Sequence, residues 1–187
     1  MFAAEAAATA HPLEPAERDA RMFLKQAAAS SRFQADAARL AIAKSSNARV
    51  RSLAARLRDR HGAAGDDLLR MLHQRGLAQP MLENVQRRTL TRLARAQGKK
   101  FDRDYVAAVL LDTRGALASC ERAGSSVQDA AIANWIAARL PVLRSDADQI
   151  ERLSASLPAA PLRAAPAAKV HQRARRHGHT KRHQGVP

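Results

Sequence analysis

The stretch "FDRDYVAAVLLDTRG", residues 101–115, contains the chain's single tyrosine and one of its four phenylalanines. Phe101 and Tyr105 are four positions apart, so on a helix both rings lie on one face. Thr113 falls further along the apolar stripe of the same helix. The stretch therefore predicts a helix with two packed rings in its first turn and a polar side chain directed at the core.

The composition around this stretch favours a bundle of helices. Hydrophobic residues make up 46% of the 187 positions but aromatic residues only 3%, so the core has to be built mainly from Leu, Ile, Val and Ala. Abundant Ala and scarce strand-forming residues favour helix. In such a core, Phe101 and Tyr105 are predicted to plug one end of the bundle rather than stack on a ligand. Trp135 is likewise interpreted as a packing residue.

Apolar periodicity, caps and turn residues predict five helices. Helix 1 is expected from Pro15 to about Ser45, helix 2 from an Asn47 cap to about Arg75, helix 3 from Met81 to about Gln97, helix 4 from an Asp102 cap to about Ala123, and helix 5 from Val127 to about Ser154. On helix 3, Val85, Leu90 and Leu93 are predicted to face inward. Short loops between long helices predict an all-α, antiparallel four-helix bundle with one extra short helix, spanning residues 15–157.

The two ends of the chain have a different composition. Residues 1–14 are predicted to be a disordered end or the remnant of a signal segment, because residues 8–10 resemble a cleavage site without a basic or cleanly apolar region before it. Residues 158–187 lack apolar periodicity and are predicted to be disordered. Their basic side chains include Arg173, Arg175, Arg176, Lys181 and Arg182.

The basic tail carries much of the formal charge. Seven Lys or Arg follow residue 154 without any acid, so about +8 of the total of +15 belongs to residues 1–154. The tail is interpreted as a solvated charged end. Two alternatives stay open, namely weak, non-specific contact with nucleic acid or another anionic polymer or lipid, and weak binding of divalent metal by its four His.

Several function classes lack their sequence signals. The single cysteine, Cys120, excludes an internal disulfide and lies on the helix 4 stripe as a small core residue. The chain has no glycine-rich phosphate loop, no nucleophile elbow and no pair of Glu-x-x-His motifs. No apolar run is long enough for a membrane span. The sequence therefore predicts no catalytic residue and no cofactor.

Three stretches resemble a known family. Residues 23–61, 101–108 and 138–153, with "FDRDYV" and "KSSNARVR" as the most specific parts, resemble the bacterial domain-of-unknown-function 4142 family over about residues 18–154. The resemblance implies a ferritin-like bundle and a location in the periplasm or cell envelope. A cytoplasmic location is expected if no signal peptide precedes Met1.

The resemblance also implies four polar core positions, which members of the family fill with one Glu and three His. The matching residues here are Gln34, His61, Thr113 and Asp146, so only the second-helix histidine is kept. Zinc and iron sites usually need about three good protein donors, and this set offers one imidazole and one carboxylate. The positions are predicted to be the remnant of a polar site, without metal, in which Asp146 or Gln34 accepts a hydrogen bond from His61.

The sequence thus predicts a non-enzymatic helical bundle of unknown role, with a binding or structural function in the envelope and an unidentified protein partner. One alternative is a zinc- or iron-binding bundle, which predicts metal in protein purified without an affinity tag. The other is a basic protein that associates with nucleic acid or anionic surfaces through its tail. That alternative predicts salt-sensitive binding that disappears when residues 158–187 are removed.

Overall fold

The computed structural model describes residues 13–158, and within this range the chain is all-helical. The five helices are α1 (Pro15–Lys44), α2 (Ala48–His73), α3 (Asn84–Arg95), α4 (Gly98–Gly124) and α5 (Ala130–Ser156). The all-α class with five helices is therefore confirmed. The predicted signal remnant and the basic tail, including the five basic residues named above, lie outside the described residues.

The ends of α1 and α2 follow the local chemistry predicted from the sequence. Pro15 occupies the first turn of α1, where its missing N–H costs no hydrogen bond. The Asn47 side chain caps α2 by accepting from the Arg49 backbone N–H at 2.9 Å. After α2, the Leu77 N–H bonds back to the Leu72 carbonyl at 2.9 Å, and Gly76 supplies the positive φ of 65° that this C-terminal turn requires.

Two predictions about α3 and α4 were wrong. Helix α4 begins at Gly98 with Gln97 at the N-cap, so Asp102 is not a cap. Asp102 is instead buried, and it accepts a hydrogen bond from the Ser45 hydroxyl at 2.6 Å. Val85 is 63% exposed, because Gln86 takes the inward position at the start of α3. Leu90 and Leu93 pack against the core as predicted. The prediction of Val85 was wrong because the inward residue at this point of the helix is polar.

Contacts between helices define the topology of the bundle. At one end Ser45 of α1 meets Asp102 of α4, and at the other Ser119 lies 3.4 Å from Gln26, so α1 and α4 are antiparallel. The short α1–α2 and α4–α5 connections make antiparallel pairs as well. The chain between α2 and α4 must therefore cross the length of the bundle, and it carries α3 over α1 and α4. One long crossover agrees with the ferritin-like arrangement predicted from the sequence.

The core consists of two apolar clusters separated along the bundle. The cluster at the α1–α2 loop includes Phe33, Leu57 and Tyr105, and the cluster at the other end includes Phe23, Leu68, Cys120 and Ile136. Each of the four long helices passes from one cluster to the other through buried polar residues. The residues that the structure describes include no helix long and apolar enough to cross a membrane.

The two rings of the opening stretch pack inside the first cluster. Phe101 and Tyr105 are fully buried, and their nearly parallel rings have centroids 6.2 Å apart. The Lys44 ammonium lies 5.6 Å from the Phe101 ring centroid, within range of a cation–π interaction. Trp135 is half-buried in the second cluster and meets Phe23 edge-on at 6.1 Å. All three rings therefore pack against other parts of the bundle.

Substitution of Tyr105 tests the role of this ring. Tyr105→Ala is expected to lower the free energy of unfolding by about 3 kcal/mol, since it removes a fully buried ring and leaves a cavity. Tyr105→Phe is the matched control. Within the described residues the Tyr105 hydroxyl is buried without a partner, so Tyr105→Phe should leave stability unchanged or raise it. Urea denaturation followed by circular dichroism measures both; equal stability of Tyr105→Ala and the natural chain would contradict the packing role.

Candidate functional site: a buried polar layer and the adjoining cleft

The polar layer lies between the two apolar clusters and receives one predicted position from each long helix. Gln34 of α1, His61 of α2, Thr113 of α4 and Asp146 of α5 are all at most 2% exposed. Polar groups at this depth have to find partners inside the protein, because an unpaired one costs about 1–3 kcal/mol. The partners divide the four positions into two groups.

Gln34 and Thr113 form the first group and touch directly. The Gln34 amide nitrogen is 3.0 Å from the Thr113 hydroxyl and 3.1 Å from the Val109 carbonyl. It is also 3.2 Å from a carboxylate oxygen of Asp112. The Gln34 amide oxygen is buried and has no partner among the described residues. This group therefore joins α1 to α4 through the side-chain amide.

Asp112 belongs to the same group, although it was not among the site residues predicted from the sequence. Its carboxylate accepts from the Ser30 hydroxyl at 2.6 Å and lies 3.4 Å from the Gln86 amide nitrogen. Burial raises the pKa of Asp112, while hydrogen bonds from Ser30, Gln34 and Gln86 oppose this. Asp112 thus ties α1 and the crossover helix α3 to α4. The one sequence signal for Asp112 was its position next to the predicted site residue Thr113. Its hydrogen-bond partners Ser30, Gln34 and Gln86 are distant in sequence.

His61 faces an arginine, so the prediction that Asp146 or Gln34 accepts from it was wrong. The Arg139 guanidinium nitrogen Nη2 lies 3.2 Å from His61 Nδ1 and 3.5 Å from Nε2. Burial, and then the positive charges of Arg139 and Arg60, lower the pKa of His61 to about 3. The imidazole is therefore neutral near pH 7 and can accept a hydrogen bond from Arg139.

Asp146 is paired with the other arginine of the layer. Its Oδ1 atom forms an ion pair with Arg60, whose side chain is 38% exposed, while the Asp146 side chain is 1% exposed. The second oxygen, Oδ2, is buried and has no partner within residues 13–158. Burial raises the pKa of Asp146, and the positive charges of Arg60 and Arg139 oppose the rise. Arg60 is therefore the partner of Asp146, in place of the predicted His61.

The donors of the layer do not fit a metal centre. Among the described residues, no three His, Cys, Asp or Glu side chains come close enough together to hold an ion. His61 faces a guanidinium, which repels a cation, and the two carboxylates lie in different groups. The remaining two predicted positions supply an amide and a hydroxyl, which are poor ligands for zinc.

A cleft of about 440 Å³ opens beside the layer, between α1 and α4 and under the start of α3. It extends inward to His61, Cys120 and Arg139, and outward to Glu83 and Val85 of the crossover segment. Burial raises the pKa of the Cys120 thiol to about 11, although the charge of Arg139 acts in the opposite direction. The sequence predicted Cys120 as a core residue, and the structure also places it on the wall of this cleft.

These features define the class of protein: an all-α bundle whose core is divided by a buried polar layer next to a cleft. Within that class, the chain belongs to the family described as domain of unknown function DUF4142, whose model matches residues 3–153. The resemblance stated from the sequence is therefore confirmed. The comparisons found no matching curated protein and no matching solved structure.

The lowered pKa of His61 predicts a specific dependence of stability on pH. Between pH 6.5 and about 3 the unfolded chain protonates this histidine and the folded chain does not, so stability falls as the pH falls. The slope from this residue should approach about 1.4 kcal/mol per pH unit. Asp112 and Asp146, whose pKa values are raised, act in the opposite direction, because their protonation favours the folded state.

Chemical denaturation at a series of pH values isolates the histidine. His61→Gln keeps a hydrogen-bond acceptor for Arg139 but cannot titrate, so its stability should fall less than that of the natural chain below pH 6.5. His73→Gln, at an exposed position of the same helix, is the control and should retain the natural profile. Parallel profiles for His61→Gln and the natural chain would show that His61 is protonated as readily in the folded protein as in the unfolded chain, and would contradict the lowered pKa.

Proposed function

We propose that the protein works by binding or structural support, without catalysis, and that it does so in the cell envelope. The observation that carries the non-catalytic part is the state of the histidine and the cysteine in the cleft. His61 and Cys120 both line it, and their surroundings hold both in unreactive forms. Asp112 also lines it, but Ser30, Gln34 and Gln86 already occupy its carboxylate. A cleft that is open to small molecules, with these groups unreactive or occupied, is suited to binding.

Cys120 is a poor nucleophile in this environment. The thiolate is the reactive form of cysteine, and catalytic cysteines have pKa values well below that of the free thiol. Burial moves the pKa of Cys120 in the other direction, to about 11. At neutral pH almost none of the side chain is therefore in the reactive form.

His61 is a correspondingly poor general base. Proton transfer is most efficient when the pKa of the base lies near the operating pH. The pKa of His61 is about 3, and its nearest polar neighbour is the Arg139 guanidinium. A catalytic histidine usually has a carboxylate that stabilises its protonated form. The guanidinium of Arg139 destabilises that form instead.

The proposed location in the envelope rests on the family resemblance. The proposal is that the bundle acts in the periplasm, as a binding partner or as a structural element, and that the polar layer holds the four long helices in register. Buried polar contacts can specify one arrangement of helices among several that an apolar core would allow. Among the described residues, the Gln34 amide oxygen and Asp146 Oδ2 have no partner, and buried groups of this kind lower stability.

The reactivity of Cys120 tests the non-catalytic proposal directly. Because it is the only cysteine, alkylation by iodoacetamide at pH 7.5 reports on one site. The folded chain should react at least about tenfold more slowly than the chain in denaturant. The rise of the pKa from 9.0 to about 11 lowers the thiolate fraction, and the greater nucleophilicity of a more basic thiolate offsets only part of this. Cys120→Ser provides the background. Faster reaction in the folded state would reveal an activated thiol and overturn the proposal.

Fractionation tests the proposed location. In cells of the natural host that express the chromosomal copy with a C-terminal tag, the protein should be released by osmotic shock together with a periplasmic marker. A cytoplasmic marker, retained under the same conditions, is the control. Recovery of the tagged protein with the cytoplasmic marker would contradict the envelope proposal and leave the chemistry of the cleft unaffected.

A further inference from the structure

We propose that the cleft between α1 and α4 binds a small molecule with a carboxylate head and an apolar body, and that Arg139 receives the carboxylate. This inference rests on the proposed binding function and specifies its ligand. It depends on three observations: a buried guanidinium without a carboxylate partner, neighbouring carboxylates that other groups already occupy, and a cleft with largely apolar walls that leads to the guanidinium.

Arg139 is a buried cation with an incomplete set of partners. It is 9% exposed, and within residues 13–158 its hydrogen-bond partner is the neutral His61. No carboxylate of the described residues lies within 4.0 Å of it, although ten other ion pairs do form there. Buried charges are normally paired, and a guanidinium forms two parallel hydrogen bonds with a carboxylate.

The nearest carboxylate in the layer does not balance this charge. Asp146 already forms an ion pair with Arg60, and its free oxygen is more than 4.0 Å from the Arg139 guanidinium. Asp112, the other carboxylate of the layer, is occupied by Ser30, Gln34 and Gln86 and does not contact Arg139 either. A ligand carboxylate would give Arg139 the partner that it lacks at the inner end of the cleft.

The remainder of the cleft is suited to an apolar body. Its volume of about 440 Å³ lies within the range of roughly 300–1,000 Å³ that small-molecule sites occupy. Most of the surface of the walls is apolar, and Ala27, Phe33, Ala108, Ala116, Trp135 and Leu143 contribute to it. Val85 and Leu111 also line the cleft and are 63% and 75% exposed. They place apolar surface at the entrance.

The other charged groups of the cleft make a cationic head group unsuitable. Asp112 already accepts from Ser30, Gln34 and Gln86, so it is not free to bind a cation. Glu83 lies at the outer rim as the first residue of a capping box. The remaining charged lining residues, Arg92 and Arg122, are positive. A single carboxylate at Arg139, followed by an apolar body, satisfies the site best.

Trp135 provides the measurement, because it is the only tryptophan and it lines the cleft. Dodecanoate, below its micellar concentration, should produce a saturable change in tryptophan fluorescence. Dodecanol carries the same apolar body without the charge and should bind at least tenfold more weakly. Butyrate carries the charge with little apolar surface and should also bind at least tenfold more weakly. Equal affinity for dodecanoate and dodecanol would show an apolar cleft without a carboxylate receptor and overturn the inference.

Arg139→Gln should weaken dodecanoate binding at least tenfold, because it removes the charge and one half of the bidentate contact. Arg122→Gln, at an exposed arginine on the same cleft, is the matched control and should bind within about twofold of the natural chain. Circular dichroism establishes that each variant is folded. A folded Arg139→Gln that binds dodecanoate as tightly as the natural chain would overturn the proposal.

Gly115 gives a second test that keeps the polar layer intact. It lines the cleft on α4, and a Cβ added there would have no atom within 4 Å. Gly115→Phe should fill part of the cleft and weaken dodecanoate binding, whereas Gly115→Ala should leave binding unchanged and slightly stabilise the helix. Unchanged binding in Gly115→Phe would place the ligand elsewhere. If this inference fails, the non-catalytic proposal is unaffected, because that proposal is tested separately by the reactivity of Cys120.

Discussion

The division of the core by a buried polar layer is the constraint on which the rest of the structure depends. Apolar contacts have little directionality, whereas the hydrogen bonds of the layer form in one register of the helices. Gln34 reaches Thr113 only when α1 and α4 are aligned, and Arg139 reaches His61 only when α2 and α5 are aligned. The layer therefore couples the two helical pairs that the short loops create.

The arginines determine what the layer can do. Arg60 binds Asp146 and Arg139 faces His61, so the one carboxylate and the one imidazole of the predicted set are held apart. With a guanidinium beside it, the imidazole is neutral near pH 7. The same guanidinium gives the adjoining cleft a positive inner end. Arg139 therefore underlies both the proposed function without catalysis and the proposed binding of a carboxylate.

Much of the fold could be predicted from local chemistry. Helix periodicity, Pro15, the Asn47 cap and the Gly76 turn locate α1 and α2, and the spacing of Phe101 and Tyr105 indicates two buried rings. These features depend on residues a few positions apart. The errors arose where a polar residue had a distant partner. Asp102 was predicted as a cap from its neighbours in sequence. Its hydrogen-bond partner, Ser45, lies 57 positions away and leaves no local signal.

Residue types at regular spacing were enough to establish the helical class, and specific motifs were enough to indicate the family. The resemblance to that family then implied the four polar core positions. Their partners depend on packing between helices. Arg139 and His61 are 78 positions apart, and Arg60 and Asp146 are 86 apart. No local pattern tells a buried arginine from a solvated one, since long side chains of either kind occur along helix faces. The charge of the layer, and with it the character of the cleft, follows from packing between helices.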